Sequence, residues 1–181
     1  MYHPGLSMEG WKMSKLFFFA TLLAFGLFSF PAHSRPYIGL GLSRVSSSVP
    51  SAGSGTYDAN GVYAYVGNRL NEFGFEFGYL DVGKVDMVPT TTVITGNLLK
   101  IQMSYFVDLS GEFQLVGKFG LVVPHLQTNT GGWNYNMIRP AWSVGMNYNF
   151  SERTAGRVEY EQHKFDPLEM NMLTFSINMA Y

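Results

Sequence analysis

The sequence predicts an all-β chain, an eight-stranded antiparallel up-and-down transmembrane β-barrel. Three observations carry that expectation. The chain finishes on an unbroken alternation, with Leu173, Phe175, Ile177, Met179 and Tyr181 on one face and Thr174, Ser176, Asn178 and Ala180 on the other. Large apolar groups on one side of a strand and small polar groups on the other mark a boundary between two solvents. Aromatics reach 16% and charged residues only 14%, well under the roughly 25% charged of soluble domains. After Ser34 no apolar run is long enough to cross a bilayer as a helix.

The N-terminal stretch reads as a leader. Lys12 and Lys15 precede an uncharged run from Leu16 to Phe30, Pro31 ends it, and Ala32-His33-Ser34 offers small residues for a signal peptidase. At about 15 residues the run falls short of the roughly 20 a spanning helix needs. Residues 1–34 are therefore expected to be a cleaved signal peptide and residues 35–181 the barrel; a retained anchor is the alternative. Translation from Met8 or Met13 would leave the leader's features intact. The chain has no cysteine, which removes disulfides, thiolate metal sites, a cysteine nucleophile and a lipidated N-terminus. A formal charge of -1 gives no electrostatic case for nucleic acid.

Read for period two, the remainder yields eight strands. The first, Tyr37 to Val45, sets Ile38, Leu40 and Leu42 against Gly39, Gly41 and Ser43. The second is Gly61 to Arg69. The third, Phe73 to Gly83, opposes Phe73, Phe75, Phe77 and Tyr79 to Gly74, Glu76 and Gly78. The fourth, Ile94 to Val107, opposes Leu99, Ile101, Met103 and Tyr105 to Lys100, Gln102 and Ser104. The fifth, Phe113 to Val123, sets Phe113, Leu115, Phe119 and Leu121 against Gln114, Lys118 and Gly120. The sixth, Ala141 to Phe150, sets Trp142, Val144, Met146, Tyr148 and Phe150 against Ser143, Gly145, Asn147 and Asn149. The seventh, Thr154 to His163, sets Val158 and Tyr160 against Arg157, Glu159, Glu161 and His163. The eighth runs from about Met170 to Tyr181.

The connections after strands two, four and six are short, and those after strands one, three and five are longer and rich in Ser, Gly, Thr and Asn. The brief connection at 164–169 is the exception among the outer ones. Short turns at one end and longer loops at the other fit a bacterial outer-membrane barrel with its turns in the periplasm. Size then decides which face points out. Eight strands enclose a space just wide enough for side chains to fill, too narrow for the Phe, Tyr, Trp, Leu and Met of seven strands. The apolar face is expected to meet lipid, and Gly, Ser, Asn, Gln and a few ions to fill the lumen. A soluble barrel with reversed faces is the alternative. Strand two leaves its faces open, because Val62, Ala64 and Val66 alternate with Tyr63 and Tyr65; its turn side favours valines outward. Tyr37, Phe73, Tyr105, Phe113, Tyr148, Phe150 and Tyr181 form an expected periplasmic girdle, with Trp142, Tyr79 and Tyr160 nearer the other rim.

Inward charges are Glu76, Glu159 and Glu161 against Lys100, Lys118 and Arg157. Isolated charges in a narrow lumen would suffer heavy desolvation, so pairing into a network that plugs the barrel is the expectation. A catalytic carboxylate pair is the competing reading, without a shaped pocket to support it.

The run Gly67-Asn68-Arg69-Leu70-Asn71, leading to Gly74-Phe75-Glu76-Phe77-Gly78-Tyr79, resembles the second turn and third strand of the OmpA-type small outer-membrane β-barrel family. Gly156-Arg157-Val158-Glu159-Tyr160 is similar to that family's seventh strand, and Leu173 to Tyr181 to its last. The resemblance implies that Glu76 pairs with Arg157. Where the family's sixth strand often carries an inward acid, this chain has Asn147. Ending at Tyr181, it looks like the stand-alone barrels without a peptidoglycan-binding domain, including colonisation-factor and opacity-type adhesins.

Function is less sharply drawn. A lipid-A-modifying enzyme of the barrel type needs His, Ser and a carboxylate together on the outer rim; Glu161 precedes His163, but Lys164 and Phe165 follow it, and His125 sits beside Pro124. Both histidines read as rim residues. No cofactor, metal or catalytic residue is expected. Gly131-Gly132-Trp133-Asn134-Tyr135-Asn136 places Trp133 and Tyr135 among adaptable polar residues, a composition suited to a contact surface. The alternative is rings folded on the rim or against lipid headgroups. The expectation is a non-enzymatic, monomeric outer-membrane barrel with a structural or surface-adhesion and colonisation role. Its partners are outer-membrane lipid and lipopolysaccharide, with a host or cell-surface ligand at the loops. A lipid-A-modifying enzyme is the runner-up.

Overall fold

The computed structural model describes residues 34–48, 56–87, 92–129, 134–135, 137–165 and 168–181. The expected leader, apart from Ser34, lies outside the described residues, as does Trp133. Among the described residues nine strands follow in order: β1 (Arg35–Ser48), β2 (Thr56–Leu70), β3 (Phe73–Met87), β4 (Thr92–Asp108), β5 (Phe113–Thr128), β6 (Asn134–Tyr135), β7 (Arg139–Asn149), β8 (Thr154–Phe165) and β9 (Leu168–Ala180). Each pairs antiparallel with its neighbours, and β1 pairs with β9, so the sheet closes on itself. The two residues of β6 meet Leu126 and Gln127 in the register that pairs Val122 with Arg139. They therefore prolong the stave of β7, and the wall has eight staves.

Strand positions and faces match the alternation, and Val62 faces out while Tyr63 and Tyr65 lie inside. The tight β2–β3 turn holds Asn71 at φ 56°, a left-handed conformation that Asn tolerates better than most residues. At the loop end the strands run further than the sequence implied. Strand β1 continues to Ser48, β3 to Met87 and β5 to Thr128, so part of the expected loop sequence is barrel wall.

These prolongations carry a different interior. Val45, Leu80, Val82, Val85, Ile94, Leu98, Val122, Leu126, Phe165, Leu168, Met170 and Met172 are essentially inaccessible and pack as one cluster. The polar lumen expected throughout is thus confined to the half nearer the turns. A glycine shapes the wall beside this cluster. A bulge between Asp81 and Lys84 uses Gly83 at φ +69°, where a Cβ would lie 2.3 Å from the Asn60 carbonyl oxygen. The extra residue lets both Val82 and Val85 face inward.

Nearer the turns, glycines make room for aromatic rings. A Cβ on Gly39 would lie 2.1 Å from the Tyr65 ring, and one on Gly67 would lie 2.3 Å from that of Tyr37. Each of these tyrosines is the direct cross-strand partner of its glycine. Tyr37 accordingly belongs to the lumen, not to the lipid-facing girdle, because it shares the inward parity of Gly39 and Ser43.

Candidate functional site

The polar lumen is organised around Glu76 on β3. Its Oε1 lies 2.5 Å from Lys118 Nζ on β5, and its Oε2 lies 2.7 Å from Arg157 Nη1 on β8. Glu159 Oε2 is 2.5 Å from the same Lys118 Nζ and 3.8 Å from Arg157 Nη1. Two acids and two bases therefore form a closed square across the barrel. Tyr37 donates its hydroxyl to Glu76 Oε2 at 2.9 Å and Tyr63 donates to Oε1 at 3.3 Å. Arg157 Nε donates to Asn147 Oδ1 at 2.8 Å. Tyr65 supplies ring faces to Lys118 at 5.5 Å and to Arg157 at 5.1 Å.

A second group sits beside the apolar cluster. Lys100 on β4 pairs with Glu161 on β8, and its ammonium lies 4.4 Å from the Tyr63 ring centroid. His163 Nε2 is 2.8 Å from Glu161 Oε1, and its ring stacks 5.4 Å from Phe165. The structure thus brings the six charged residues into two adjoining groups, four in one and two in the other, all buried. Burial on this scale is tolerable only because every charge has an opposite partner.

His163 is not a rim residue. It is 1% exposed, since it follows the inward parity of Arg157, Glu159 and Glu161. His125 is exposed on the outer face of β5. The Glu161–His163 pair is therefore sealed inside the wall, away from any lipid substrate. Tyr135 lies on β6, paired with Leu126, and Trp133 lies outside the described residues. Sequence reasoning missed Tyr37, Tyr63 and Asn147 as members of the network. Inward parity marks all three, and a glycine across from an inward tyrosine is the signal that would have found Tyr37.

Outside, Leu40, Leu42, Phe75, Met103, Phe119, Val144, Phe175 and Ile177 form an exposed apolar belt. Phe73–Tyr105 and Phe113–Tyr148 pair at 5.1 and 4.9 Å along its turn-side edge. Beyond its other edge the outward residues turn polar, with Arg44, Asp58, Asp81, Lys84, Asp86 and Lys164 all exposed.

The comparisons agree with this architecture. No curated protein sequence matches the chain. Neisserial surface protein A (NspA) superposes with a TM-score of 0.64 at 13% identity, over 81% of this chain and 97% of that one. Ail, the attachment invasion locus protein of Yersinia pestis, solved with the heparin analogue sucrose octasulfate, gives 0.59 at 10%, over 82% and 99%. The N-terminal β-barrel domain of Pseudomonas aeruginosa OprF gives 0.53 at 13%, over 79% and 97%. At such identities the likeness speaks for the fold. The model of the outer membrane protein beta-barrel domain matches residues 17–181. An apolar belt around a closed eight-stave wall and that match lead to one assignment: the chain belongs to the outer membrane protein β-barrel domain family and resides in the bacterial outer membrane.

Proposed function

We propose that this protein is a non-enzymatic, monomeric barrel that strengthens the envelope and presents its outer end as an attachment surface. The observation that carries the reading is the lumen, filled by the ionic square and then by the apolar cluster. Such a filled barrel supports neither solute passage nor a substrate reaching the Glu161–His163 pair. What it offers outward is a rigid ring of strands, and Trp133 and Tyr135 are the residues this reading assigns to the contact. Rigid anchoring lowers the entropy lost on contact.

Ail was solved with a sulfated heparin analogue. On this chain the outward charges beyond the belt are mixed, with Arg44 bonded to Asp58 and Lys164 to Glu169. That balance favours a ligand met by aromatic, Ser, Thr and Asn groups over a polyanion. The same reading takes residues 1–34 as a leader removed on export, so that N-terminal sequencing of the membrane-embedded protein starts at Arg35.

The test is to replace residues 129–136 with a short turn and measure attachment of cells displaying the barrel. Attachment falls if the reading holds; unaltered attachment sinks it. Purified protein incubated with lipopolysaccharide leaves the lipid's mass unchanged, and a mass change would establish the enzyme instead.

A further inference from the structure

The turn end of the barrel opens on the periplasm as a recess of about 760 Å³. Its inner end is closed by Arg157 and Tyr37, both bonded to Glu76. It is therefore blind, with the form of a binding site more than of a passage. The volume falls within the roughly 300–1,000 Å³ of small-molecule sites.

Its lining is cationic. Arg35, Arg69, Arg153 and Arg157 all contribute, and Glu152 is the acidic side chain among the lining residues. Arg157 is neutralised from within by Glu76. Arg69 is held in place at the mouth. Its Nε donates to the Asn71 carbonyl at 2.6 Å, its Nη1 donates to Gln114 Oε1 at 3.0 Å, and its guanidinium lies 4.5 Å from the centroid of the Phe106 ring. Asp108, a largely exposed carboxylate, pairs with its Nη2 at 3.8 Å and accepts from Gln114 Nε2.

Two carboxamides tie this arginine to the network. Asn147 Nδ2 donates to the same Gln114 oxygen at 3.1 Å, and Asn147 Oδ1 accepts from Arg157 Nε at 2.8 Å. Gln114 and Asn147 are neutral, so they fix the mouth without adding charge, and the acid that faces Arg69 there is the exposed Asp108. Two of the five N–H donors of Arg69 are engaged in these bonds; an anion bound to the other three shares them with Asp108, whose exposed pairing is weak.

We propose that the periplasmic recess binds a small oligoanion bearing carboxylate or phosphate groups, gripped by Arg69 with Arg35 and Arg153. This site faces the opposite side of the membrane from the attachment surface and stands independently of it. Pyrophosphate and citrate serve as probes of the two chemistries, titrated calorimetrically into the protein purified from outer membranes into detergent. One saturable site is expected for at least one probe, weakening as sodium chloride rises. Arg69→Gln weakens it at least tenfold, whereas Lys164→Gln at the far end leaves it unchanged. Preference for pyrophosphate assigns a phosphate-bearing ligand, and preference for citrate a carboxylate-bearing one. Arg153→Gln, in an exposed turn, provides a second variant if Arg69→Gln loses the heat-modifiable migration of a folded barrel. No saturable binding of either probe overturns the proposal, as does affinity that survives both substitutions.

Discussion

On β1, Ile38, Leu40 and Leu42 face lipid while Gly39 and Ser43 face the lumen; one step further, Arg44 faces out and Val45 faces in. Strand β9 makes the same exchange, from outward Leu173 and inward Thr174 to outward Asn171 and inward Met172. The belt and the collar beyond it share staves and register, yet their polarity is opposite. In the belt, lipid outside is as apolar as any side chain, so packing against it supplies no hydrophobic drive. Cohesion across the lumen there comes from ion pairs and tyrosine hydroxyls. In the collar, water surrounds the wall, and burying apolar groups inside is favourable in the ordinary way. The external solvent therefore decides what holds the inside together.

The largest effect should come from breaking the square. Glu76→Ala removes the partner shared by Lys118 and Arg157 and leaves two buried bases facing Glu159 alone. A loss of about 3–5 kcal/mol is expected from an uncompensated buried charge, read by urea unfolding in lipid vesicles. A loss under about 1 kcal/mol would mean that the belt's interior behaves like a solvated surface. The collar's counterpart is Leu98→Ala, which opens a cavity in a dry cluster and should cost about 2–5 kcal/mol. Its signature differs, because an apolar residue of similar volume, Leu98→Met, should recover most of the loss, whereas Glu76→Met should not, since the buried bases stay uncompensated. Equal recovery at the two positions would erase the distinction.

The sequence made the belt legible because alternation reports parity directly. Glu76, Lys118, Arg157 and Glu159 share inward parity; β3 and β8 stand opposite each other in the wall and β5 lies two staves from each, so the side chains meet across the lumen. Alternation does not report which solvent lies outside, so the collar's inversion went unread. Its trace is nevertheless present as apolar doublets where the phase flips: Tyr79-Leu80, Leu98-Leu99, Leu121-Val122 and Met172-Leu173. In each doublet the first or second residue is buried in the collar and its neighbour lies on the belt face. The placement of His163 was legible in the inward parity it shares with Arg157, Glu159 and Glu161; parity does not report that β8 runs on to Phe165, which puts His163 inside the wall and not at its rim. The periplasmic recess was not legible, since Arg35, Arg69 and Arg153 come from three separate strand ends that only barrel closure brings together.

A charge placed on the outer face separates the regions next. Phe119→Arg puts a guanidinium among lipid tails and should cost about 2–4 kcal/mol. Gln127→Arg on the same strand, exposed in the collar, should stay within about 0.5 kcal/mol. Matching costs would place the membrane boundary elsewhere. Gly39→Ala follows, at about 1–3 kcal/mol for overpacking, because its methyl would meet the Tyr65 ring while Tyr65 is hydrogen-bonded to Ser176 at 3.0 Å. Tyr65→Phe combined with Gly39→Ala should not relieve that loss, since the ring itself makes the clash.

The smallest effect belongs to the exposed collar pair. Asp58 accepts from Arg44 at 2.7 Å and from Ser46 at 2.6 Å. The Arg44 hydrogen bond first, and the Ser46 hydroxyl next, hold its carboxyl below the usual aspartate range. A carboxyl depressed in the folded state contributes stability above its unfolded value and loses it as pH falls through the folded one. The pair should therefore help at neutral pH and fade only under acid, below about pH 4. Screening by water makes the contribution slight, and it lies in the collar, where a strand-end opening can sample it without unfolding the belt. Hydrogen exchange of the β1–β2 strand ends in Asp58→Asn, compared with the wild type, should be faster at neutral pH and indistinguishable near pH 3 after correction for intrinsic exchange rates. A difference that persists in acid would assign the protection to the backbone ladder between Ser46 and Asp58, not to the carboxylate.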